Sequence, residues 1–267
     1  MKAFFRPALL GLALAMPVQL YAQMPPRPPT GPPPTARAAA PADFTGNWVS
    51  IVSEDWRWRM VTPLRNDFAN IPLNAAGSQI GKAWDPAQDE AAGEQCRAYA
   101  APAIMREPGR LQISWQDDST LKIVTDAGQQ TRLLHFGSPP PAANIPDRER
   151  SWQGYSAAMC EAPAHGTHPP GIGLGVGARA GANSRSLEVI TTHIRPGYLR
   201  KNGVPFSANT KVTEYFDLFK DPDGLDWFVV TTIVDDPQYL TAPWVTSSHF
   251  KREQDASRWH PTPCSVK

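Results

Sequence analysis

Glu214 is a carboxylate on the apolar face of a predicted strand. Residues 210–219 alternate between polar and apolar side chains, and Glu214 shares the apolar face with Val212, Phe216 and Leu218. Side chains two residues apart lie on the same face of a strand, so Glu214 is expected to point into the core. A buried carboxylate without a partner costs several kcal/mol or shifts its pKa. The pattern therefore predicts a polar site around Glu214.

The preceding predicted strand, 186–196, offers partners for this carboxylate. Thr191, His193 and Arg195 share one of its faces. If the two strands pair as a hairpin, Thr191 lies opposite Glu214 and His193 lies diagonal to it, within reach of long side chains. A His–Glu pair in a water-poor interior can act as general acid and base, so His193 and Glu214 are the candidate catalytic residues. A structural pair that fixes the strand register is the alternative.

Four residues on or beside the loop 196–208 are candidate ligand-binding groups. They are Arg195, Tyr198, Arg200 and Asn202. Loops on a rigid scaffold often carry binding groups, and guanidinium groups bind carboxylates or phenolates. A solvated hairpin tip is the other interpretation of this loop.

The inner face is expected to continue through the last strands, 226–234 and 245–251. Carrying the alternation across the hairpin turn at 221–224 places Trp227 and Thr231 inside, and Trp244 follows on the last strand. With Thr191, these aromatic and hydroxyl groups are predicted to line a ligand cavity.

The first residues have the pattern of a secretory signal peptide, predicted at 1–22. Lys2 and Arg6 precede a short apolar stretch, and no later segment is long and apolar enough for a membrane span. Residues 23–42 are Pro- and Ala-rich and are expected to be a disordered leader. A single domain is predicted at 43–267, with a Gly-rich loop at 161–185.

The charge and the cysteines restrict the class of protein further. Removing the two basic residues Lys2 and Arg6 lowers the formal net charge from +1 to −1, which argues against nucleic acid as a partner. Export permits disulfides, and a bridge between Cys96 and Cys264 would attach the Pro-rich tail to the body. Three free thiols remain the alternative, and Cys160 has no assigned role.

Many short strands with few helices favour an all-β fold with minor α content. Strands are expected at 44–52, 111–116, 121–125, 130–136 and 152–157, and an extended piece at 56–60. One or two short helices are predicted between 73 and 99, with Asn74 and Asp85 as caps. These elements indicate an antiparallel barrel of eight to ten strands.

The loop 161–185 carries no recognised cofactor or metal motif. Its glycines lack the strand before and the helix after that a nucleotide-binding motif needs. His165 and His168 have no third ligand at suitable spacing. We therefore expect no cofactor and no metal.

Two resemblances bear on these expectations. The segment Gly46-Asn47-Trp48 resembles the Gly-x-Trp opening of lipocalin-like barrels, which implies that Trp48 closes one end. A second set of motifs is similar to a large family of exported bacterial proteins known as sequences rather than by an activity. Its motifs here are Ile71–Asn74, Trp84-Asp85, Cys96, Trp152–Ser156, Thr191–His193, Arg200–Pro205, Thr213-Glu214 and Asp235–Thr241. The resemblance implies a shared site without naming a substrate, and the Gly-rich insertion 162–185 departs from the family pattern.

Together these features predict a periplasmic or secreted lipocalin-like barrel that takes up an apolar or aromatic small molecule. Charged groups inside the barrel favour an enzyme of isomerase, hydratase or lyase type that needs no cofactor. A non-catalytic carrier for a hydrophobic ligand is the alternative. The sequence does not indicate the oligomeric state.

Overall fold

The computed structural model describes residues 32–141, 146, 149–160 and 186–266. The predicted signal peptide at 1–22, leader residues 23–31 and the Gly-rich loop 161–185 lie outside these residues, as do His165 and His168. A compact unit comprises residues Pro34–Lys267. It starts before the predicted boundary at residue 43, and the described part of the predicted leader contains a short helix, Ala36–Ala39.

The described residues form eleven strands. In chain order these are β1 (Gly46–Ile51), β2 (Arg110–Trp115), β3 (Thr120–Thr125), β4 (Thr131–Phe136), β5 (Tyr155–Cys160), β6 (Ser186–Thr192), β7 (Gly197–Arg200), β8 (Val204–Phe206), β9 (Lys211–Lys220), β10 (Asp226–Asp235) and β11 (Trp244–Glu253).

Nine of these strands close into a barrel, so the predicted all-β, lipocalin-like fold is confirmed. Their order is β1-β11-β10-β9-β6-β5-β4-β3-β2, and β1 also pairs with β2. Neighbouring described strands are antiparallel except β4 and β5, whose parallel pairing the sequence did not predict. The two remaining strands, β7 and β8, follow β6 and precede β9 in the chain, and they form a separate small sheet.

Short helices accompany the barrel. They are α1 (Ala36–Ala39), α2 (Trp56–Arg59), α3 (Ala75–Ala83), α4 (Pro86–Ala91) and α5 (Ala101–Ile104), with a 3₁₀ helix at Gln95–Tyr99. The predicted caps are confirmed: Asn74 accepts from the Gly77 N–H, and Asp85 accepts from the Ala87 N–H. The extended piece expected at 56–60 is wrong, because α2 occupies it. No helix among the described residues is long and apolar enough to cross a membrane.

A layer of polar side chains crosses the barrel interior. Its buried members are Arg132, Ser156, Thr191, Glu214, Thr232, Thr246 and Ser248. On β9, Glu214 lies between Val212 and Phe216, which belong to two different apolar clusters. One cluster fills the barrel around Phe216, Phe228 and Phe250, and the other reaches under the helices around Val212 and Trp244. The polar layer therefore separates two packed apolar regions.

The inward face predicted for β10 is wrong. Lys220 pairs with Asp226 and Glu214 pairs with Thr232, so even-numbered residues lie opposite even-numbered residues. The strand therefore buries the even-numbered residues from 228 to 234, and Trp227 and Thr231 lie on the outer face. Five residues, 221–225, lie between the paired residues Lys220 and Asp226. An even number of loop residues would have placed the odd-numbered residues of β10 inside, because loop length sets the register.

The first and last strands close the barrel through Trp48 and Arg252. Trp48 is fully buried, and its Nε1–H donates to the Phe44 carbonyl oxygen at 2.9 Å. The Arg252 guanidinium lies 4.2 Å from the centre of the Trp48 ring. Arg252 also donates to the carbonyl oxygens of Thr45 and Asp43. The position of Trp48 agrees with a structural role.

The predicted disulfide joins Cys96 to Cys264, at a sequence separation of 168, and Cys160 is a free thiol. The tail is further held by the Thr262 N–H, which donates to the Asp126 carbonyl oxygen at 2.9 Å. The C-terminal tail is therefore fixed beside the turn between β3 and β4.

Candidate functional site

Glu214 is fully buried, as predicted, but its partner is Arg132. The Arg132 Nη1 and Nη2 atoms donate to the two carboxylate oxygens at 3.1 and 2.5 Å, and both side chains have no exposed surface. Arg132 Nη2 also lies 3.3 Å from the Thr191 hydroxyl, which is 2.8 Å from the Ser156 hydroxyl. The ion pair therefore spans the two strands that separate β9 from β4.

The predicted contact between Glu214 and His193 is not present in the structure. Val189 pairs with Glu214, and Thr191 pairs with Val212, so the register differs by two residues from the predicted hairpin. His193 follows the end of β6 with a left-handed backbone (φ 58°), which breaks the alternation. It lies roughly 13 Å along the strand direction from the level of Glu214. Its ring Nδ1 is 2.8 Å from the Thr192 hydroxyl.

The groups predicted on loop 196–208 divide between different surroundings. The Arg195 side chain pairs with Glu94 at 2.5 Å and stacks on Trp152. Asn202 is fully buried and donates to the carbonyl oxygens of Leu64 and Asp67. Because the loop residues are buried, the alternative of a solvated hairpin tip is wrong.

Tyr198 lines a cavity of about 330 Å³ between the β7–β8 sheet and helices α3 and α4. Its hydroxyl donates to Asp89, which also accepts from Trp84 and Arg97. Burial and the Asp89 hydrogen bond raise the pKa of Tyr198. Tyr198 is therefore a neutral donor to an Asp89 carboxylate that already has three partners.

Arg200 and Trp244, both predicted ligand-binding residues, do come together. The Arg200 guanidinium lies 5.7 Å from the Trp244 ring centre and 4.9 Å from that of Trp58. Arg106 stacks on the same Trp244 ring at 4.9 Å. Two arginines and two tryptophans thus meet at one end of the barrel, where Trp244 begins β11.

Beside this cluster lies a cavity of about 260 Å³, the cationic cleft. Its charged lining residues are Arg59, Arg106, Glu107, Arg200 and Lys201. The rest of the lining comes from α2 and the residues after it, from the segment around α5, from Ala127 in the turn between β3 and β4, from β7 and from Thr262 in the tail. Four cations and one carboxylate face the cleft, so its lining has an excess of positive charge.

Two of these cations are fully engaged within the protein. Arg59 donates to the Arg106 carbonyl oxygen at 2.8 Å and to Glu54 at 2.8 Å. Lys201 forms an ion pair of 2.7 Å with Glu107. Arg59 and Lys201 therefore shape the lining rather than offer free donors.

Arg200 has donors without partners. Arg200 is 4% exposed, and among the described residues only its Nη1 has a hydrogen-bond partner, the Ala69 carbonyl oxygen at 2.8 Å. Nε and Nη2 are buried and have no hydrogen-bond partner among the described residues. Burial, together with the charge of Arg106, lowers the pKa of Arg200 to about 10. The group is still cationic near neutral pH, but its charge is poorly compensated.

Arg106 is in a similar state. It is 5% exposed, and its Nη1 forms an ion pair of 3.1 Å with the Asp55 carboxylate. Among the described residues neither Nη atom has a hydrogen-bond partner. Burial lowers the pKa of Arg106, and Asp55 opposes that shift. Buried polar groups are nearly always hydrogen-bonded, so unpaired guanidinium N–H groups in a cleft indicate a binding position for an acceptor.

Glu107 is the carboxylate among the charged residues that line the cleft. Burial raises the pKa of Glu107, although the charge and hydrogen bond of Lys201 oppose the shift. Burial disfavours the charged form of Lys201, but the Glu107 carboxylate outweighs this effect and raises its pKa. Glu107 and Lys201 therefore form an ion pair at the edge of the cleft, and both groups bind a proton more tightly than they ordinarily would.

No local pattern marks Arg106 or Glu107 as functional, because they follow an apolar segment and precede Pro108. Arg59 falls in the extended piece predicted at 56–60, whereas the structure places it in α2. Arg132, by contrast, could have been predicted from the sequence. It shares the apolar face of β4 with Leu134, as Glu214 shares that of β9 with Phe216.

Comparison with models of protein families, with curated proteins and with solved structures gives no match for this chain. Within the described ranges, no group of three or more His, Cys, Asp or Glu side chains is placed to hold a metal ion.

Proposed function

We propose that the protein binds a small organic anion in the cationic cleft. The observation that carries this proposal is the pair of nine-tenths buried arginines, Arg106 and Arg200, which line the cleft and keep guanidinium N–H groups without a hydrogen-bond partner among the described residues. An anionic acceptor would supply the missing hydrogen bonds and offset the mutual repulsion of the two guanidinium groups.

The aromatic neighbours favour an organic ligand over an inorganic ion. Trp58 lines the cleft, and its ring lies against Arg200. Tyr99 also lines the cleft, and its ring contacts the Lys201 ammonium group at 4.5 Å. Clefts that combine aromatic walls with a few convergent polar groups are typical of small-molecule sites. This ligand class agrees with the aromatic small molecule expected from the sequence and adds a negative charge to it.

Calorimetric titration with charged and uncharged isosteres tests the proposal. We expect benzoate and phenyl phosphate to bind and benzamide to bind at least about tenfold more weakly, because a hydrogen bond to a charged group contributes about 1.5–3 kcal/mol. Arg200→Met should abolish benzoate binding, whereas Arg258→Met, at an exposed site that is not part of the cleft lining, should not. Equal affinity for benzoate and benzamide, or unchanged binding by Arg200→Met, would contradict the proposal.

One observation favours catalysis as a second candidate function. Burial raises the pKa of Glu107, which lies in the same cleft as Arg106 and Arg200, and a carboxyl with a raised pKa suits proton transfer. Isomerase, hydratase or lyase chemistry without a redox cofactor then remains the enzyme class to test. The alternative is a carrier. A carrier returns its ligand unchanged, whereas an enzyme converts an excess of it, so product analysis after prolonged incubation distinguishes the two.

The catalytic roles predicted for His193 and Glu214 stay predictions, and the geometry favours Glu107 over both. Glu214 is held by Arg132 inside the polar layer, and His193 lies beyond the end of β6. Export to the periplasm or beyond, and membership of the exported bacterial family, are likewise proposals that rest on the sequence motifs.

A further inference from the structure

Large apolar side chains are exposed at the mouth of the cationic cleft. Met60 and Val61 line the cleft and are 59% and 62% exposed, and Leu64 follows at 75%. Single exposed apolar residues are ordinary, but three within five residues beside a cavity mark a binding surface.

The loop that carries these residues is fixed from behind. Asn202 donates to the carbonyl oxygens of Leu64 and Asp67 at 3.1 and 2.8 Å. The Asp67 carboxylate in turn accepts from the Trp58 indole N–H at 3.1 Å and from Arg57 at 3.0 Å. The apolar side chains are therefore presented outward by an anchored backbone.

The size of the cleft limits what it can enclose. Its volume of about 260 Å³ lies just below the ~300–1,000 Å³ of sites that enclose drug-sized ligands. A charged head group fits beside Arg106 and Arg200, and a larger ligand must leave the cleft at its mouth. The part of the ligand that leaves there would pass over Met60 and Val61.

We propose that the ligand is an amphiphile: an anionic head group bound by Arg106 and Arg200, with an alkyl chain lying over Met60, Val61 and Leu64. This inference rests on the proposed anion-binding function and adds the substrate class. Long-chain carboxylates and alkyl phosphates share this chemistry. Met60 and Val61 line the same cleft as the two arginines, and Leu64 extends the exposed apolar surface beside it.

A chain-length series tests the proposal. Butanoate, octanoate and dodecanoate are titrated below their critical micelle concentrations, with dodecyl phosphate as a second head group. Affinity should rise about twofold to fourfold for each added methylene group until the apolar surface is covered. The better of dodecanoate and dodecyl phosphate identifies the head group.

Two variants test where the alkyl chain of the ligand lies. Met60→Ser combined with Val61→Ser should flatten the dependence on chain length, and Val245→Ser, at a 58% exposed site on β11, should retain it. Equal melting temperatures show that all variants are folded. Wild-type affinity that does not change with chain length overturns the amphiphile inference and leaves anion binding intact. If none of these anions binds, both proposals are wrong.

Discussion

At the scale of single residues, Glu214 shows how a buried charge is explained by its partner rather than by a reaction. The alternation of β9 was enough to predict its burial. The partner was misassigned because it lies on β4, far away in sequence, and comes within 2.5 Å only when the barrel closes. Alternation on β4 places Arg132 on the inner face, but no local pattern pairs β4 with β9 across the interior.

Replacing Glu214 separates a structural from a catalytic role. Glu214→Gln leaves the buried Arg132 without its counter-charge, and removing one partner of a buried pair costs about 3–5 kcal/mol. We expect urea unfolding to show a loss of this size, with benzoate affinity unchanged in the folded protein. Arg132→Met combined with Glu214→Leu replaces both charges by apolar groups and should recover most of the stability. A Glu214→Gln protein as stable as wild type would show that the ion pair contributes little.

Glu107 predicts a pH dependence of ligand binding. Its pKa is raised by burial, so as the pH falls the folded protein takes up this proton above the ordinary carboxyl range. Protonation removes a negative charge from the cleft and leaves Lys201 uncompensated, and both changes favour an anion. Affinity for benzenesulfonate, which stays charged in acid, should therefore rise about tenfold as the pH falls through this raised pKa.

The matched variant is Glu107→Gln, which should bind benzenesulfonate with little dependence on pH. Glu90→Gln, at an exposed position on α4, should behave as wild type. The raised pKa of Glu107 also predicts how the stability of the protein depends on pH. Since the folded state binds the Glu107 proton more tightly than the unfolded chain does, stability from this group falls as the pH rises between the ordinary and the raised pKa. Identical pH profiles for wild type and Glu107→Gln would exclude Glu107 from the site.

At the scale of elements, strands and helix caps were readable from sequence because their signals are local. Alternation identified β9 and β11 with the correct inner faces, and Asn74 and Asp85 marked the helix starts. Register was not readable in this way. Which residues of β10 face inward depends on the five-residue loop 221–225, and the alternation of β6 ends where His193 adopts a positive φ.

Gly203 offers a test of how the β7–β8 turn holds the helices. Its φ is +79°, and a Cβ atom there would overlap Trp84, whose indole N–H donates to Asp89 at 2.7 Å. Gly203→Ala should lower the free energy of unfolding by about 3 kcal/mol or more, because backbone strain of about 1–2 kcal/mol adds to the displaced ring. Gly224→Ala is the control, with φ +83° and no atoms within 4 Å of the added Cβ. Equal losses in both variants would rule out the Trp84 contact.

At the scale of the whole molecule, the barrel was predictable and the cationic cleft was not. The barrel is built from strands, and the alternating pattern of each strand is visible within one short segment of the sequence. The cleft combines α2, the segment 99–108, the β7 strand and Thr262 of the tail, which are separated by up to two hundred residues. Only the folded chain brings Arg106 next to Arg200, so a site of this kind has no signature in any one segment.

The disulfide is the covalent link that holds the tail against this end of the molecule. In the chain-entropy model, a bridge spanning 168 residues stabilises the folded state by about 5 kcal/mol, as an upper value. Cys264→Ser should therefore lower the free energy of unfolding by up to this amount, and because Thr262 lines the cleft it should also weaken benzoate binding. Cys160→Ser, at the free thiol, is the matched control and should change neither quantity much. Non-reducing mass spectrometry checks the pairing directly. Wild-type stability that does not change on reduction would mean that the hydrogen bonds of the tail, rather than the bridge, hold it in place.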